Sequence, residues 1–115
     1  MHVSVLVPAR RRFGYLDALL ASFEATRTCA EMVFRTDDDD PETTAYLTAR
    51  GYQCVVGPRV GYAGIHQMYN ELAAATDGWL VMCANDDTVF RTPGWDAKLL
   101  DASTTYLDGI LLLEA

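Results

Sequence analysis

The sequence predicts an α/β fold, an open and mostly parallel sheet with helices on both faces. Three observations carry that expectation. Short β-branched or apolar runs alternate with segments of helical periodicity along the chain. Gly, Pro and Asp residues punctuate the joins, and the polar clusters follow the predicted strands. An order of strand, helix, strand, helix, strand, helix, strand calls for right-handed crossovers. At 115 residues, half of them hydrophobic, the chain reads as a single domain spanning 1–115.

The elements follow in order. Val3 to Val7 is a β-branched run closed by Pro8 and predicts a buried first strand. Gly14 breaks the chain, and Leu16, Leu19, Leu20 and Phe23 then recur at helical spacing. Met32 to Phe34 is a second strand, stopped by Asp37, Asp38, Asp39 and Asp40. Asp40 before Pro41 has the form of an N-cap and first-turn proline, so a second helix runs from Pro41 to Arg50 with Ala45, Tyr46 and Leu47 inward. Gly51 ends it, and Tyr52 to Val56 forms a third strand. After a flexible Gly61 to Gly64 stretch, Ile65, Met68, Tyr69, Leu72 and Ala73 give the clearest helical stripe. Trp79 to Cys83 is a fourth strand, Trp95 to Ala102 a short helix, and Ile110 to Leu113 a last strand. Trp79 and Trp95 read as packing residues, and His66 as a surface residue.

Charge narrows the function. Nine Lys and Arg against sixteen Asp and Glu give a net charge of −7, with one basic cluster at Arg10, Arg11 and Arg12. A broad basic face for nucleic acid is not available. Recognition of a small phosphate-bearing ligand stays open, because it needs only one or two arginines. The three cysteines, Cys29, Cys54 and Cys83, have no zinc-type spacing; two sit in apolar runs and read as buried thiols in a reducing compartment. With no signal-peptide pattern and no window long enough for a membrane span, the expectation is a cytoplasmic protein with no transmembrane segment.

In an open parallel sheet, ligands bind beyond the carboxyl ends of the strands. Each unusual polar cluster here follows a strand: Arg10 to Arg12 the first, Asp37 to Asp40 the second, Arg59 the third, and Asn85, Asp86 and Asp87 the fourth. One rim of the sheet is therefore expected to collect both acids and arginines. Closely spaced oxygen ligands on such a rim can hold a hard divalent cation together with water and a diphosphate. The alternative for the same residues is a solvated turn, since Asn and Asp favour turns. Four adjacent aspartates repel, so at least one is expected to have a partner.

The pattern resembles the N-terminal half of a family 2 glycosyltransferase of GT-A fold, of the bacterial and phage type. The segments that carry the likeness are VSVLVPAR, FRTDDDD, GYAGIHQMYNELAAATDGWLVMCANDD and TVFRTPGWDAKLL. The resemblance implies that Pro8, Ala9 and Arg10 line the nucleotide side, and that Asp37 and Asp39 meet uracil or ribose. It sets Arg59 and Asn70 near the donor, and it makes Asn85 and Asp87 metal ligands at the ends of a DxD-like turn, with Asp86 between them. Mn2+ or Mg2+ is the implied cation and a nucleotide-sugar, a UDP-sugar by preference, the implied donor. Two departures stand out. The motif reads NDD, and a register shift would set Cys83 at the first acidic position. The likeness also spans about half of a full catalytic domain, so the acceptor site and its base would come from missing sequence or a partner. Asp96 is the one candidate base by position, and it is equally an early helix residue.

Two further readings remain open from the sequence. One is a non-catalytic nucleotide-sugar-binding or protein-interaction module, a truncated or degenerate relative of such enzymes. The other is a doubly wound phosphate-binding domain of response-regulator type, which strand order would separate. An unfinished sheet edge also makes a homodimer an expectation.

Overall fold

The computed structural model describes residues 2–104; the expected strand at Ile110 to Leu113 lies outside them. The elements are β1 (Val3–Ala9), α1 (Phe13–Thr26), β2 (Glu31–Asp37), α2 (Pro41–Ala49), β3 (Gln53–Gly57), a 3-10 turn at Tyr62–Gly64, α3 (Ile65–Ala74), β4 (Leu80–Cys83) and α4 (Trp95–Ser103). All three strand pairings are parallel, and the sheet order is β3-β2-β1-β4.

That order follows from the connections. The chain steps outward from β1 to β2 to β3, and then α3 carries it back across the sheet to the far side of β1. Right-handed crossovers in opposite directions must run over opposite faces. Accordingly, Leu16, Leu19, Phe23, Leu47 and Trp95, from α1, α2 and α4, share one core with Val3, Val5, Val7, Met32 and Phe34. On the other face Leu72 of α3 packs on Leu6 and Val33. The two faces divide β1 by residue parity, as a strand with period two requires.

Several expectations shift. Pro8 does not close β1; the strand continues to Ala9, with Pro8 opposite Arg35 of β2. The Ala84 N–H donates to the Leu6 carbonyl, so residues of that parity on β1 turn their backbone polar groups toward β4. β4 ends at Cys83, level with Leu6, and Pro8 therefore falls past its end, where a missing N–H costs no ladder bond. In α2 Leu47 is buried and Tyr46 packs against the core as expected, but the third inward residue is Thr43, while Ala45 is exposed. Thr43 tolerates burial because its hydroxyl bonds to the Asp40 carboxylate and accepts the Arg11 N–H at 2.9 Å. The Gly61 to Gly64 stretch is a hydrogen-bonded 3-10 turn. Cys29 and Cys83 are exposed and Cys54 is half-buried, and Trp79 is 58% exposed. For Trp79 and Cys83 the reason is that β4 is the outer strand among the described residues, and α3 packs chiefly on β1 and β2. Trp95 is buried as expected, stacked on Phe90 at 4.6 Å.

Asp96 is a correction of a different kind. It is fully buried at the start of α4 and accepts the N–H groups of Thr28, Cys29 and Ala30 at 2.8, 2.7 and 2.7 Å. Those residues precede β2, so Asp96 ties α4 to the amino edge of the sheet, opposite the carboxyl ends of the strands. Burial would raise its pKa, but the backbone amides outweigh that and hold it below the ordinary carboxylate value. It is a structural staple.

A group with a lowered native pKa contributes stability above its unfolded pKa and loses it as pH falls through the native one. Asp96→Asn is therefore expected to cost about 2–4 kcal/mol at neutral pH, the scale of charged hydrogen bonds lost in a buried site. Urea denaturation should show the gap between wild type and variant closing in acid. A gap of the same size at every pH would contradict the assignment.

Candidate functional site

Progress along the sheet reverses after β3, so the segment after β1 leads to α1 on one face and the segment after β3 leads to α3 on the other, with the turn after β4 alongside. A crevice outside the carboxyl ends is the geometric result. The structure has a cavity of about 420 Å3 there, lined from β1 by Pro8, Ala9, Arg10 and Arg12, from β2 by Asp37, and from the β3–α3 segment by Arg59, Gly61 and Tyr62. Ile65 and Met68 of α3 complete its apolar wall, and Asn85, Asp86 and Asp87 its acidic one. The volume is that of a small-molecule site.

The arginine cluster is divided between the two sides. Arg11 adopts φ 52°, a left-handed conformation uncommon outside glycine, and its N–H is held by the Thr43 hydroxyl. On one side of that turn, Arg10 Nη1 donates to Asp37 Oδ2 at 2.9 Å and to Asp39 Oδ1 at 2.6 Å. Arg10 draws the Asp39 carboxyl below its ordinary pKa. On the other side, Arg12 lies 3.1 Å from Asp86 and 4.2 Å over the Tyr15 ring. Burial pushes the Asp86 carboxyl up, Arg12 pulls against that, and Asp87 adds to it.

The aspartate run is not a solvated block. Asp37 ends β2 with both carboxylate oxygens engaged, Oδ2 by Arg10 and Oδ1 by Arg35 at 3.1 Å. Asp40 caps α2 and meets Arg11 at 3.4 Å. Burial opposes ionisation of Asp40, but its bonds to Thr43 and Arg11 keep its pKa below the ordinary value. Asp38 and Asp39 are exposed on the turn between.

The acidic turn after β4 is anchored at both ends. Ala84 N–H donates to β1, the Tyr69 hydroxyl donates to the Ala84 carbonyl at 2.9 Å, and Thr88 N–H closes on the Asn85 carbonyl. Burial raises the pKa of that Tyr69 hydroxyl. Asn85 and Asp87 are exposed at the cavity, as oxygen donors of the kind a hard divalent cation takes, few enough that phosphate and water would complete the shell.

Of the residues singled out from the sequence, Pro8, Ala9, Arg10, Asp37, Arg59, Asn85, Asp86 and Asp87 come together at this cavity. Asp39 and Asn70 are not in the lining. Asp39 faces Arg10 from the turn. Asn70 is exposed on α3 two residues from Met68, a rotation of about 200° that turns it away. Sequence reasoning missed Arg12 as an individual contributor, Tyr62 and Met68 as cavity walls, and Arg35 beneath the floor. The helical spacing of Ile65 and Met68 was the available signal for the α3 wall.

A second cluster lies at the opposite edge. His2, Glu31 and Asp77 precede β1, begin β2 and precede β4, and their ligand atoms lie within 4.8 Å of one another, close enough to chelate a divalent ion. His2 Nε2 is 3.3 Å from Glu31 and 3.5 Å from Asp77. This group sits at the amino ends of the strands, apart from the cavity.

No family model and no curated protein matches the chain. Among solved structures, the crystal structure of S. aureus TarS 1-349 is similar, with a TM-score of 0.63 and 21% sequence identity. The match covers 90% of this chain and 32% of that one. The likeness, with the β3-β2-β1-β4 order, shows a GT-A/Rossmann-like fold. Among the described residues no helix is long and apolar enough to cross a membrane.

Removing the guanidinium next to Asp86 should leave burial and Asp87 opposed only by backbone amides of the turn. In Arg12→Gln, side-chain carboxyl NMR is expected to show Asp86 titrating higher than in wild type. An unchanged or lower midpoint would mean that Arg12 does not act on the acidic turn.

Proposed function

We propose that this chain is the donor-binding half of a nucleoside-diphosphate-sugar glycosyltransferase of family 2 type. The observation that carries the reading is the convergence of Arg10–Asp37, Arg12–Asp86, Arg59 and Asn85–Asp87 on one cavity at the point where strand order reverses. A nucleoside diphosphate offers what those walls ask for: a flat apolar base, donors for a fixed carboxylate, and a compact double negative charge.

In this reading Asp37 accepts from the base or ribose, with Pro8, Ala9 and Tyr62 as the surrounding surface. Arg59 and Arg10 supply positive charge on the side away from the acidic turn. Asn85 and Asp87 hold a Mn2+ or Mg2+ ion, with Asp86 beside them in salt contact with Arg12. When bound, the cation neutralises diphosphate charge and stabilises the leaving group. The chain's own residues orient the donor.

The step that deprotonates an acceptor hydroxyl draws on residues outside this site. Asp37 and Asp86 are paired with arginines, Asp96 is consumed by backbone amides, and Asp87 is assigned to the cation. That distribution equally favours a donor-binding module without turnover, and the sugar, the acceptor and the stereochemical course belong to whatever completes the site.

Calorimetric titration with UDP, with and without Mn2+, tests the reading. UDP is expected to bind, and more tightly with the ion. Asp87→Ala should remove most of the ion-dependent gain, on the order of tenfold in Kd or about 1.4 kcal/mol, and leave the ion-free affinity unchanged. UDP that neither binds nor raises the Tm, with Mn2+ present, would refute it.

A further inference from the structure

Arg35 lies near the carboxyl end of β2, an interior strand of the sheet, directly after the apolar run of Met32, Val33 and Phe34. It is 1% exposed, and it does not line the cavity. Its guanidinium reaches four acceptors on three separate parts of the chain. Nε donates to Glu71 Oε2 of α3 at 2.6 Å. Nη1 donates to the Thr36 carbonyl at 3.0 Å and to Asp37 Oδ1 at 3.1 Å. Nη2 donates to the Pro58 carbonyl at 2.8 Å.

Each acceptor belongs to a wall of the cavity or to an element that carries one. Asp37 is the buried acid of the site. Pro58 begins the segment that presents Arg59, Gly61 and Tyr62. Glu71 lies on α3, which supplies Ile65 and Met68. A planar, always-charged fork can hold several acceptors at fixed mutual angles, which a lysine cannot. A second observation points the same way. A Cβ on Gly57 would lie 2.7 Å from Arg35 Nη2 and 3.0 Å from Cζ, so the absence of a side chain at Gly57 leaves the space the guanidinium occupies.

We propose that Arg35 is a positioning residue that couples the two nucleoside-facing walls, setting the Asp37 carboxylate and the Pro58–Tyr62 segment relative to each other. The inference rests on the cavity being a nucleoside diphosphate site, but the coupling itself has a ligand-independent signature. The Pro58 carbonyl bond and the Asp37 bond share one guanidinium. Displacing that group should loosen the segment after β3 while leaving β1 and α1 as they are.

The experiment uses the full chain and three variants: Arg35→Lys, Glu71→Gln and Gly57→Ala. Glu71→Gln guards against misfolding, because Glu71 is partly exposed and the substitution keeps its shape. Gly57→Ala adds a methyl group and removes no polar atom. Hydrogen exchange without ligand is the first readout: amides in 59–64 are expected to exchange faster in all three variants, with α1 unchanged. UDP affinity is the second. It is expected to fall ~10-fold in Arg35→Lys and Gly57→Ala and less in Glu71→Gln, because small displacements of orienting groups are costly. Variants that lose Tm but keep wild-type exchange in 59–64 would overturn the coupling. So would wild-type UDP affinity in variants that remain folded. Failure of wild type to bind UDP would instead sink the donor-site reading, and the exchange result would then decide the coupling alone.

Discussion

The return of the chain across the sheet is the constraint on which the rest depends. Because α3 carries it from β3 over β2 and β1 to pair β4 with the far side of β1, the segments after β1 and β3 leave toward opposite faces, and the acidic turn after β4 lines the crevice beside them. The charged clusters that follow the strands then have places. The Arg10–Arg12 loop leaves β1 at the centre of the rim, with acids from β2 on one side and acids from β4 on the other. The left-handed turn at Arg11 sends Arg10 one way and Arg12 the other. A chain of net charge −7 thus gathers its one basic cluster where its acidic clusters need it.

Electrostatics alone would not produce a site, since exposed ion pairs contribute little. What raises these pairs above surface decoration is that the acids are held by something else as well. Asp37 has a second arginine beneath it, Asp40 caps a helix, and the Asn85–Asp87 turn is tied to β1 and to Tyr69. The rim is built on strand ends and helix starts, which are the rigid parts of the fold, and that rigidity is what a binding site for a small charged ligand requires.

Much of this was legible in the sequence, and the parts that were not share a physical cause. Periodicity found α1 and α3, and the DP step found the start of α2, because those signals are local. The rule that polar residues after parallel strands share one rim placed Arg10, Asp37 and Asp87 together without any contact information. Pro8 misled because its tolerance depends on where a partner strand 70-odd residues later happens to stop. Trp79 and Cys83 misled because burial on an edge strand depends on which strands a helix covers. Arg35 was invisible for the same reason: its acceptors at Pro58 and Glu71 are set by tertiary structure, and a lone arginine at a strand end has no local signature. Asp96 looked like an available acid until its three amide donors were placed.

Among the described residues His2, Glu31 and Asp77 at the amino edge lie close enough to chelate a divalent ion, whereas the proposed donor site requires one at Asn85 and Asp87 on the carboxyl rim. Paramagnetic NMR separates them: Mn2+ is added at substoichiometric level to the 15N-labelled chain with UDP, and amide broadening is mapped. The account predicts broadening centred on 85–87 and extending to 9–12, with 2, 31 and 77 sharp. Broadening confined to 2, 31 and 77, with the carboxyl rim unaffected, would contradict it.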